Sequence, residues 1–121
     1  IAAGQTVNRG LKGLVIRLDS SGKIDKNFGT NGIVEGDLGR VLDVELSGNE
    51  IIVLTGSHLY KLDNTGNLTK SVKFPTGTMM EKMTVSGTAA FTIGHQSASQ
   101  TVVHKYLLNT LSLDGTFASN G

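Results

Sequence analysis

The residues of this sequence best suited to contact a ligand lie in one short polar stretch, His95-Gln96-Ser97-Ala98-Ser99-Gln100. Imidazoles, side-chain amides and hydroxyls hydrogen-bond sugars and peptides, so His95, Gln96 and Gln100 are candidate ligand-binding residues. The exposed tip of a β-hairpin has the same composition, and we favour that interpretation of the stretch. In both interpretations, the flanking strands must bring these side chains together.

Residues that could hold a metal ion are few. The histidines are His58, His95 and His104, and the chain has no cysteine to supply thiolate ligands or disulfides. His58 and His95 could share a metal ion at neighbouring strand ends, but surface histidines without a ligand are more common. Asp19 and Asp25 offer oxygen ligands for calcium, although the stretch lacks the alternating acids and closing glutamate of an EF-hand loop. We therefore expect no metal site and no cofactor.

Catalytic residues are equally hard to assign. Ser57, beside His58, or Ser99 would need an oriented base and an oxyanion hole to act as a nucleophile, and no Gly-x-Ser-x-Gly elbow is present. A pair of carboxylates could cleave a glycosidic bond if the fold placed them at the required separation. The candidates for such a pair are Glu35, Asp37, Asp43, Glu45, Glu50 and Glu81. Charged side chains on solvated strand faces are the more common explanation, so we assign no catalytic residue and expect no enzyme.

The composition of the chain excludes several other classes of protein. The 121 residues are 38% hydrophobic and include 16 glycines and 1 proline, which indicates one modest core and many tight turns. Lysine and arginine number 11 against 10 acidic residues, and the basic residues are scattered. Such a distribution argues against nucleic-acid binding. No apolar run is long enough to span a bilayer, so we expect no membrane-spanning segment.

Short strands are predicted along the whole chain. Leu14-Val15-Ile16-Arg17-Leu18, Ile51-Ile52-Val53-Leu54 and Thr101-Val102-Val103-His104-Lys105-Tyr106 are rich in β-branched residues and are bounded by turns. Val41 to Leu46 alternates, which predicts Leu42, Val44 and Leu46 on one buried face. Hairpins are predicted over 41–56 and 80–94, and the glycines that follow their strands, Gly4, Gly56 and Gly94, predict a bulge or crowded backbones.

The strands belong to a unit that recurs about every 45 residues, the length of one β-propeller blade. Arg17-Leu18-Asp19-Ser20-Ser21-Gly22-Lys23-Ile24 is echoed by Lys61-Leu62-Asp63-Asn64-Thr65-Gly66-Asn67-Leu68, and more weakly by residues 105–113. Phe28-Gly29-Thr30-Asn31-Gly32 returns as Phe117-Ala118-Ser119-Asn120-Gly121. Each Asp-x-x-Gly predicts a hairpin turn, and each phenylalanine of the second motif predicts a side chain that fills the space between successive blades.

The segment Leu18 to Gly32, which reads Leu-Asp-x-x-Gly-x-Ile-Asp-x-x-Phe-Gly-x-x-Gly, resembles the signature of the bacterial delta-sixty repeats. These repeats are predicted β-propeller modules of large exported and surface proteins. The resemblance is close over 13–34, degenerate over 59–74 and partial over 105–121. It implies a propeller in a secreted or envelope protein, with a binding or scaffolding role and no assigned catalytic residues.

We therefore expect an all-β chain with roughly two and a half propeller-type blades, over 1–34, 35–75 and 76–121. Such a set cannot close a ring, so we expect a fragment of a larger propeller, completed by other blades or other chains. The expected function is that of a non-catalytic recognition or scaffold module of a bacterial secreted or cell-surface protein, with a protein or glycan ligand. The alternatives are part of a propeller enzyme with a central-channel active site and a structural spacer or adhesin fibre-tip module.

Overall fold

The computed structural model describes residues 1–6 and 12–118, and in these ranges the secondary structure consists of β-strands and turns. The predicted all-β class is confirmed. Among the described residues there is no helix of the length and apolar character needed to cross a membrane. The second copy of the phenylalanine motif is described as far as Ala118, so its last residues, 119–121, lie outside the described ranges, as do residues 7–11.

The strands form three antiparallel sheets, each a meander in which consecutive strands pair. Sheet 1 contains β1 (Ala2–Thr6), β2 (Lys12–Ile16) and β3 (Ile33–Gly36). Sheet 2 contains β4 (Val41–Ser47), β5 (Glu50–Thr55), β6 (His58–Leu62) and β7 (Leu68–Lys73). Sheet 3 contains β8 (Met79–Ser86), β9 (Ala89–Ser97), β10 (Gln100–Leu107) and β11 (Ser112–Leu113). None of these sheets closes on itself.

Sheet 2 is buried on both faces. Because side chains alternate along a strand, Ile51 and Val53 of β5 point to one side and Ile52 and Leu54 to the other. The first pair joins Val15 and Phe28 of sheet 1 in one buried cluster. The second pair joins residues of sheet 3 in a second cluster, which includes Met80, Met83, Ala90 and Tyr106. The core therefore consists of two layers, one on each side of the central sheet.

We call the face of a sheet that is turned toward the following sheet in chain order its leading face, and the opposite face its trailing face. Sheet 1 packs its leading face on the trailing face of sheet 2, and sheet 2 packs its leading face on the trailing face of sheet 3. The leading face of sheet 3 and the trailing face of sheet 1 are the two outer surfaces of the stack.

The predicted alternation of β4 is wrong in detail. A β-bulge between Val41 and Asp43 shifts the register, so Leu42 packs against the cluster between sheets 2 and 3, while Val44 packs against the other cluster. Leu46, predicted on the same buried face, is 60% exposed. One extra residue in a strand reverses the direction of every side chain before it relative to those after it, which a simple alternation cannot show.

The three glycines that were aligned in the sequence do not occupy matching places. Gly94 lies inside β9, where a Cβ atom would come within 2.0 Å of the Met79 carbonyl oxygen, so the predicted crowding of backbones is confirmed there. Gly4 has no neighbouring atom within 4 Å of its Cβ position. Gly56 lies in the turn after β5 and faces the flexible end of the Met79 side chain. In the pairing registers Gly94 corresponds to Thr55 rather than to Gly56, because Gly94 lies opposite Met80 and Thr55 opposite Val41.

Candidate functional site

The three candidate ligand-binding residues lie together at the tip of one hairpin. His95 and Gln96 are near the end of β9, Gln100 begins β10, and all three are exposed. A register irregularity follows Gln100 in the pairing of β10 with β9. The imidazole Nδ1 of His95 lies 3.6 Å from the Glu81 carboxylate on the adjoining strand. The sequence therefore located a polar hairpin tip, and its role in binding stays a prediction.

The histidines have separate surroundings. His58 stacks on Tyr60 at 5.4 Å between ring centroids, and its Nδ1 lies 2.8 Å from the Ser57 hydroxyl. His104 lies against the edge of Tyr106, and desolvation by burial lowers the pKa of its imidazole. Among the described residues, no three histidine or acidic side chains gather as a metal site would need.

Two of the carboxylates that were considered for glycoside cleavage, Asp43 and Glu45, make structural contacts. Asp43 accepts a hydrogen bond from the Met83 N–H at 3.1 Å, and Glu45 accepts one from the Val85 N–H at 2.9 Å. Both bonds run from β4 of sheet 2 to the free edge of β8 in sheet 3. The two carboxylates therefore satisfy backbone donors that would otherwise lack a partner at a sheet edge. Sequence reasoning missed this role because it depends on contact between sheets.

The two Asp-x-x-Gly segments form turns of the same geometry. Asp19 Oδ1 accepts the N–H groups of Ser21 and Lys23 at 2.8 and 3.0 Å. Asp63 Oδ1 accepts those of Thr65 and Asn67 at 2.8 and 2.9 Å. The predicted turns are confirmed, and in each the donors lie two and four residues after the aspartate.

Hydrogen bonds to the charged form stabilise both aspartates as carboxylates. The Ser21 hydroxyl is the largest cause of the lowered pKa of Asp19, and the Thr65 hydroxyl is the largest cause of the lowered pKa of Asp63. We call residues 19–22 and 63–66 the receiving turns. Each ends in a glycine with a left-handed backbone, Gly22 at φ 81° and Gly66 at φ 93°.

Each phenylalanine of the repeated motif lies in a short loop that begins with an aspartate. Asp25 Oδ1 accepts the Asn27 N–H at 3.0 Å, and Asp114 Oδ1 accepts the Thr116 N–H at 3.0 Å. A cation from the same sheet pairs with each carboxylate, Arg17 with Asp25 at 2.9 Å and Lys105 with Asp114 at 2.8 Å. We call residues 25–29 and 114–118 the anchor loops. The hydrogen bond from Lys105 is the main cause that lowers the pKa of Asp114 to about 2.

The first anchor loop fastens sheet 1 to sheet 2. Phe28 is completely buried, and the Gly29 N–H donates a 2.7 Å hydrogen bond to the carbonyl oxygen of Thr65 in the receiving turn. Arg17 donates to the Asn64 carbonyl oxygen of the same turn. A Cβ atom at Gly66 would lie 3.0 Å from the Phe28 ring, so the turn needs glycine at this position. Phe28 therefore fills the space between the two sheets, as the sequence predicted.

A polar groove runs between this anchor loop and the receiving turn of sheet 2, with a volume of about 370 Å³. Its polar lining residues are Asn27, Thr30, Glu35, Thr65 and Asn67. Amides and hydroxyls at the rim of a groove can hydrogen-bond a polar ligand. Sequence reasoning missed this groove because its two walls come from segments far apart in the chain.

The leading face of sheet 3 is apolar and open. Ile93 pairs with Val103 across β9 and β10, and these side chains are 44% and 46% exposed. Phe91 lies beside them and packs edge to face with Phe117 of the second anchor loop, at 5.8 Å between ring centroids. A contiguous apolar surface of this kind is typical of an interaction site.

Comparisons of this chain with protein-family models, with curated proteins and with solved structures found no match. The resemblance to the delta-sixty repeats therefore stays a prediction, and the function must be argued from the geometry.

Proposed function

We propose that this chain is a β-propeller-type repeat segment that serves as a non-catalytic recognition or scaffold module of a bacterial secreted or cell-surface protein. The observation that carries the proposal is the junction between sheets 1 and 2, where an anchor loop is held by a receiving turn. A second copy of each part occurs elsewhere in the chain, the anchor loop 114–118 and the receiving turn 19–22. Repeated junction parts support one unit that is copied along the chain and stacked on itself.

The pairing registers of sheets 2 and 3 support the same unit. Each sheet begins with a strand that carries a bulge, between Val41 and Asp43 in β4 and between Met80 and Lys82 in β8. After the bulge, Asp43 lies opposite Leu54 and Leu54 opposite Leu59, while Lys82 lies opposite Ile93 and Ile93 opposite Val103. These matched positions support face-to-face meanders of the propeller type, in which each blade covers its neighbour.

A scaffold role is supported by the use of the acidic side chains. Asp19, Asp63 and Asp114 hold turns, and Asp43 and Glu45 join two sheets. Carboxylates that are committed to backbone donors in this way stabilise the stack of sheets.

A recognition role is supported by the polar groove beside Asn27 and Thr30. Its lining of amides and hydroxyls suits a glycan or an extended peptide, whose hydroxyl and amide groups need donors and acceptors in return. The hairpin tip of His95, Gln96 and Gln100 offers a second surface of the same chemistry.

A glycan and peptide array probed with the intact protein tests the recognition role. We expect a bound ligand whose signal falls at least about tenfold in Asn27→Ala/Thr30→Ala, the loss of about 1.4 kcal/mol of binding free energy. The matched variant Gln96→Ala/Gln100→Ala should bind like the parent protein if the groove is the site, and should be the weaker one if the hairpin tip is. An array without binding would favour the spacer alternative, and chemical conversion of a bound glycan or peptide would favour the enzyme alternative.

A further inference from the structure

The chain contains two halves of a junction that have no partner within the described residues. One is the leading face of sheet 3 with the anchor loop 114–118. The other is the trailing face of sheet 1 with the receiving turn 19–22. Within the chain, the same two kinds of surface meet between sheets 1 and 2, which gives a template for how the free halves fit together.

Residues on the leading face of sheet 3 are more exposed than the matching residues on the leading face of sheet 2. The cross-strand pair Leu54–Leu59 on the leading face of sheet 2 is completely buried by sheet 3. The matching pair Ile93–Val103 on sheet 3 is nearly half exposed. Phe28 is completely buried in its junction, whereas Phe117 is only partly buried. Phe91, Ile93 and Val103 form an apolar strip on this face, beside Lys82 and Thr84.

The trailing face of sheet 1 and its receiving turn are also uncovered among the described residues. Leu62 lies beside its receiving turn and is 1% exposed, while Leu18, which stands at the same place beside the turn 19–22, is 44% exposed. A Cβ atom at Gly66 would meet Phe28 and Val34, but one at Gly22 would have no atom within 4 Å. The turn 19–22 thus has the shape that receives an anchor loop and open space where that loop would lie.

The free anchor loop is already in its docking conformation. Ala118 has φ 49°, in the left-handed region that alanine rarely adopts, and Gly29 in the docked loop has φ 53°. Lys105 corresponds to Arg17, because each forms an ion pair with the aspartate that begins its anchor loop, Lys105 with Asp114 and Arg17 with Asp25. The two donors that fasten the first junction, a loop N–H and a cation, therefore have counterparts in Ala118 of the second loop and Lys105 of β10.

The charges of the two free faces are also complementary. Lys82 lies on the leading face of sheet 3, opposite Ile93, and is exposed. Glu35 lies on the trailing face of sheet 1, opposite Leu14, and is exposed too. The two surfaces therefore attract each other at long range.

We propose that the leading face of sheet 3 binds the trailing face of sheet 1 of a second copy of this chain. The proposal rests on the repeat unit of the proposed function. In the docked pair, the Ala118 N–H donates to the Ser21 carbonyl oxygen of the second copy, Lys105 reaches the Ser20 carbonyl oxygen, and Phe117 packs beside Gly22. The contact is heterologous, since it joins two different surfaces, and two copies would contribute six sheets, within the range of about 4–8 blades of known propellers.

The test is a complementation experiment that measures mass in solution by sedimentation or light scattering. We expect the parent protein to associate over about 1 to 100 µM, the range of moderate interfaces. Val103→Glu removes the first face and Leu18→Glu the second, and each should weaken association by at least about 100-fold because a carboxylate is buried in an apolar contact. An equimolar mixture of the two variants should associate again, since each still carries the face that the other has lost.

Leu46→Glu, at an exposed leucine of sheet 2 outside both faces, is the matched control and should associate like the parent protein. A parent protein that is monomeric at the highest concentration overturns the proposal. So does a mixture that fails to associate, because each variant keeps the face that the other has lost, and so does a variant that still associates alone, because a symmetric contact between two like faces would lose only one of the two variants. Circular dichroism and thermal unfolding of all variants separate loss of docking from loss of fold. An array without ligand, together with successful complementation, would leave the docking intact and refute only the recognition role.

Discussion

The two junctions inside this chain join neighbouring sheets in different ways. Between sheets 1 and 2, the aromatic side chain that fills the gap is Phe28. It lies on the anchor loop that precedes β3, and the chain pairs with Arg17 on both sides of this loop, through the Asp25 N–H and the Gly32 carbonyl oxygen. Between sheets 2 and 3 there is no such loop: β7 has only a one-residue register shift near Leu68, and Phe74, directly after β7, packs against Tyr106 at 5.7 Å between ring centroids. The comparison teaches that a buried aromatic ring is common to both junctions and that the loop is one of two ways to supply it.

A cation that reaches a turn of the next sheet is the second common feature. Arg17 donates to the Asn64 carbonyl oxygen, and Lys61 donates to the Leu108 carbonyl oxygen at 2.9 Å. Both side chains come from the end of the strand that precedes the outer strand of their sheet. The carbonyl oxygens of these turns lack a partner within their own sheet, so a long cationic side chain supplies the donor.

The largest effect is expected from truncating the ring that fills a junction. Phe28→Ala should lower the free energy of unfolding by about 3–5 kcal/mol, because it removes a completely buried ring and leaves a cavity between the sheets. Phe117→Ala, the matched control on the open face of sheet 3, should cost under about 1 kcal/mol in the monomer. Urea unfolding measures both values. Equal losses in the free energy of unfolding for the two variants would contradict the view that Phe28 is packed between two sheets while Phe117 lies on a face that no sheet covers.

A smaller effect is expected at the cation of the second junction. Lys61→Met keeps the apolar stem but leaves the Leu108 carbonyl oxygen without its donor and Glu50 without its partner at 2.9 Å. Because Lys61 is buried, we expect a loss of about 1–3 kcal/mol in the free energy of unfolding. Lys70→Met is the control, since Lys70 donates to the neighbouring Asn109 carbonyl oxygen at 2.8 Å but lies exposed. Denaturant unfolding should show a loss below about 0.5 kcal/mol for that variant.

Local patterns predicted the strands and turns, while contacts between sheets decided the rest. β-branched runs located β5 and β10, and Asp19-x-x-Gly22 gave its turn, because these features depend on neighbours in sequence. The bulge at Val41–Asp43 was not predictable, since it is fixed by pairing with β5. The bonds from Asp43 and Glu45 to β8 were missed for the same reason, as was the groove beside Asn27, whose second wall is the receiving turn of another sheet.

The smallest effect is expected from the polar side chains in the second junction. Thr92, His104 and Tyr106 lie on the trailing face of sheet 3, where the matching positions of sheet 2 are Val53, Tyr60 and Leu62. The imidazole Nδ1 of His104 is buried without a hydrogen-bond partner among the described residues. Burial lowers its pKa, so the unfolded chain binds a proton more tightly than the folded one.

Stability should therefore be fully present above the pKa of an unfolded histidine, about 6.5, and should fall as the pH drops from there toward the lower pKa of the folded state. Thermal unfolding across this interval measures the effect. His104→Phe, which keeps a ring against Tyr106, should flatten the profile. Gln96→Ala, at the exposed hairpin tip, removes no titratable group and should leave the profile as in the parent protein. A profile that His104→Phe left unchanged would mean that the second junction contributes nothing to the pH dependence, and that the His104 imidazole is well solvated in the folded protein.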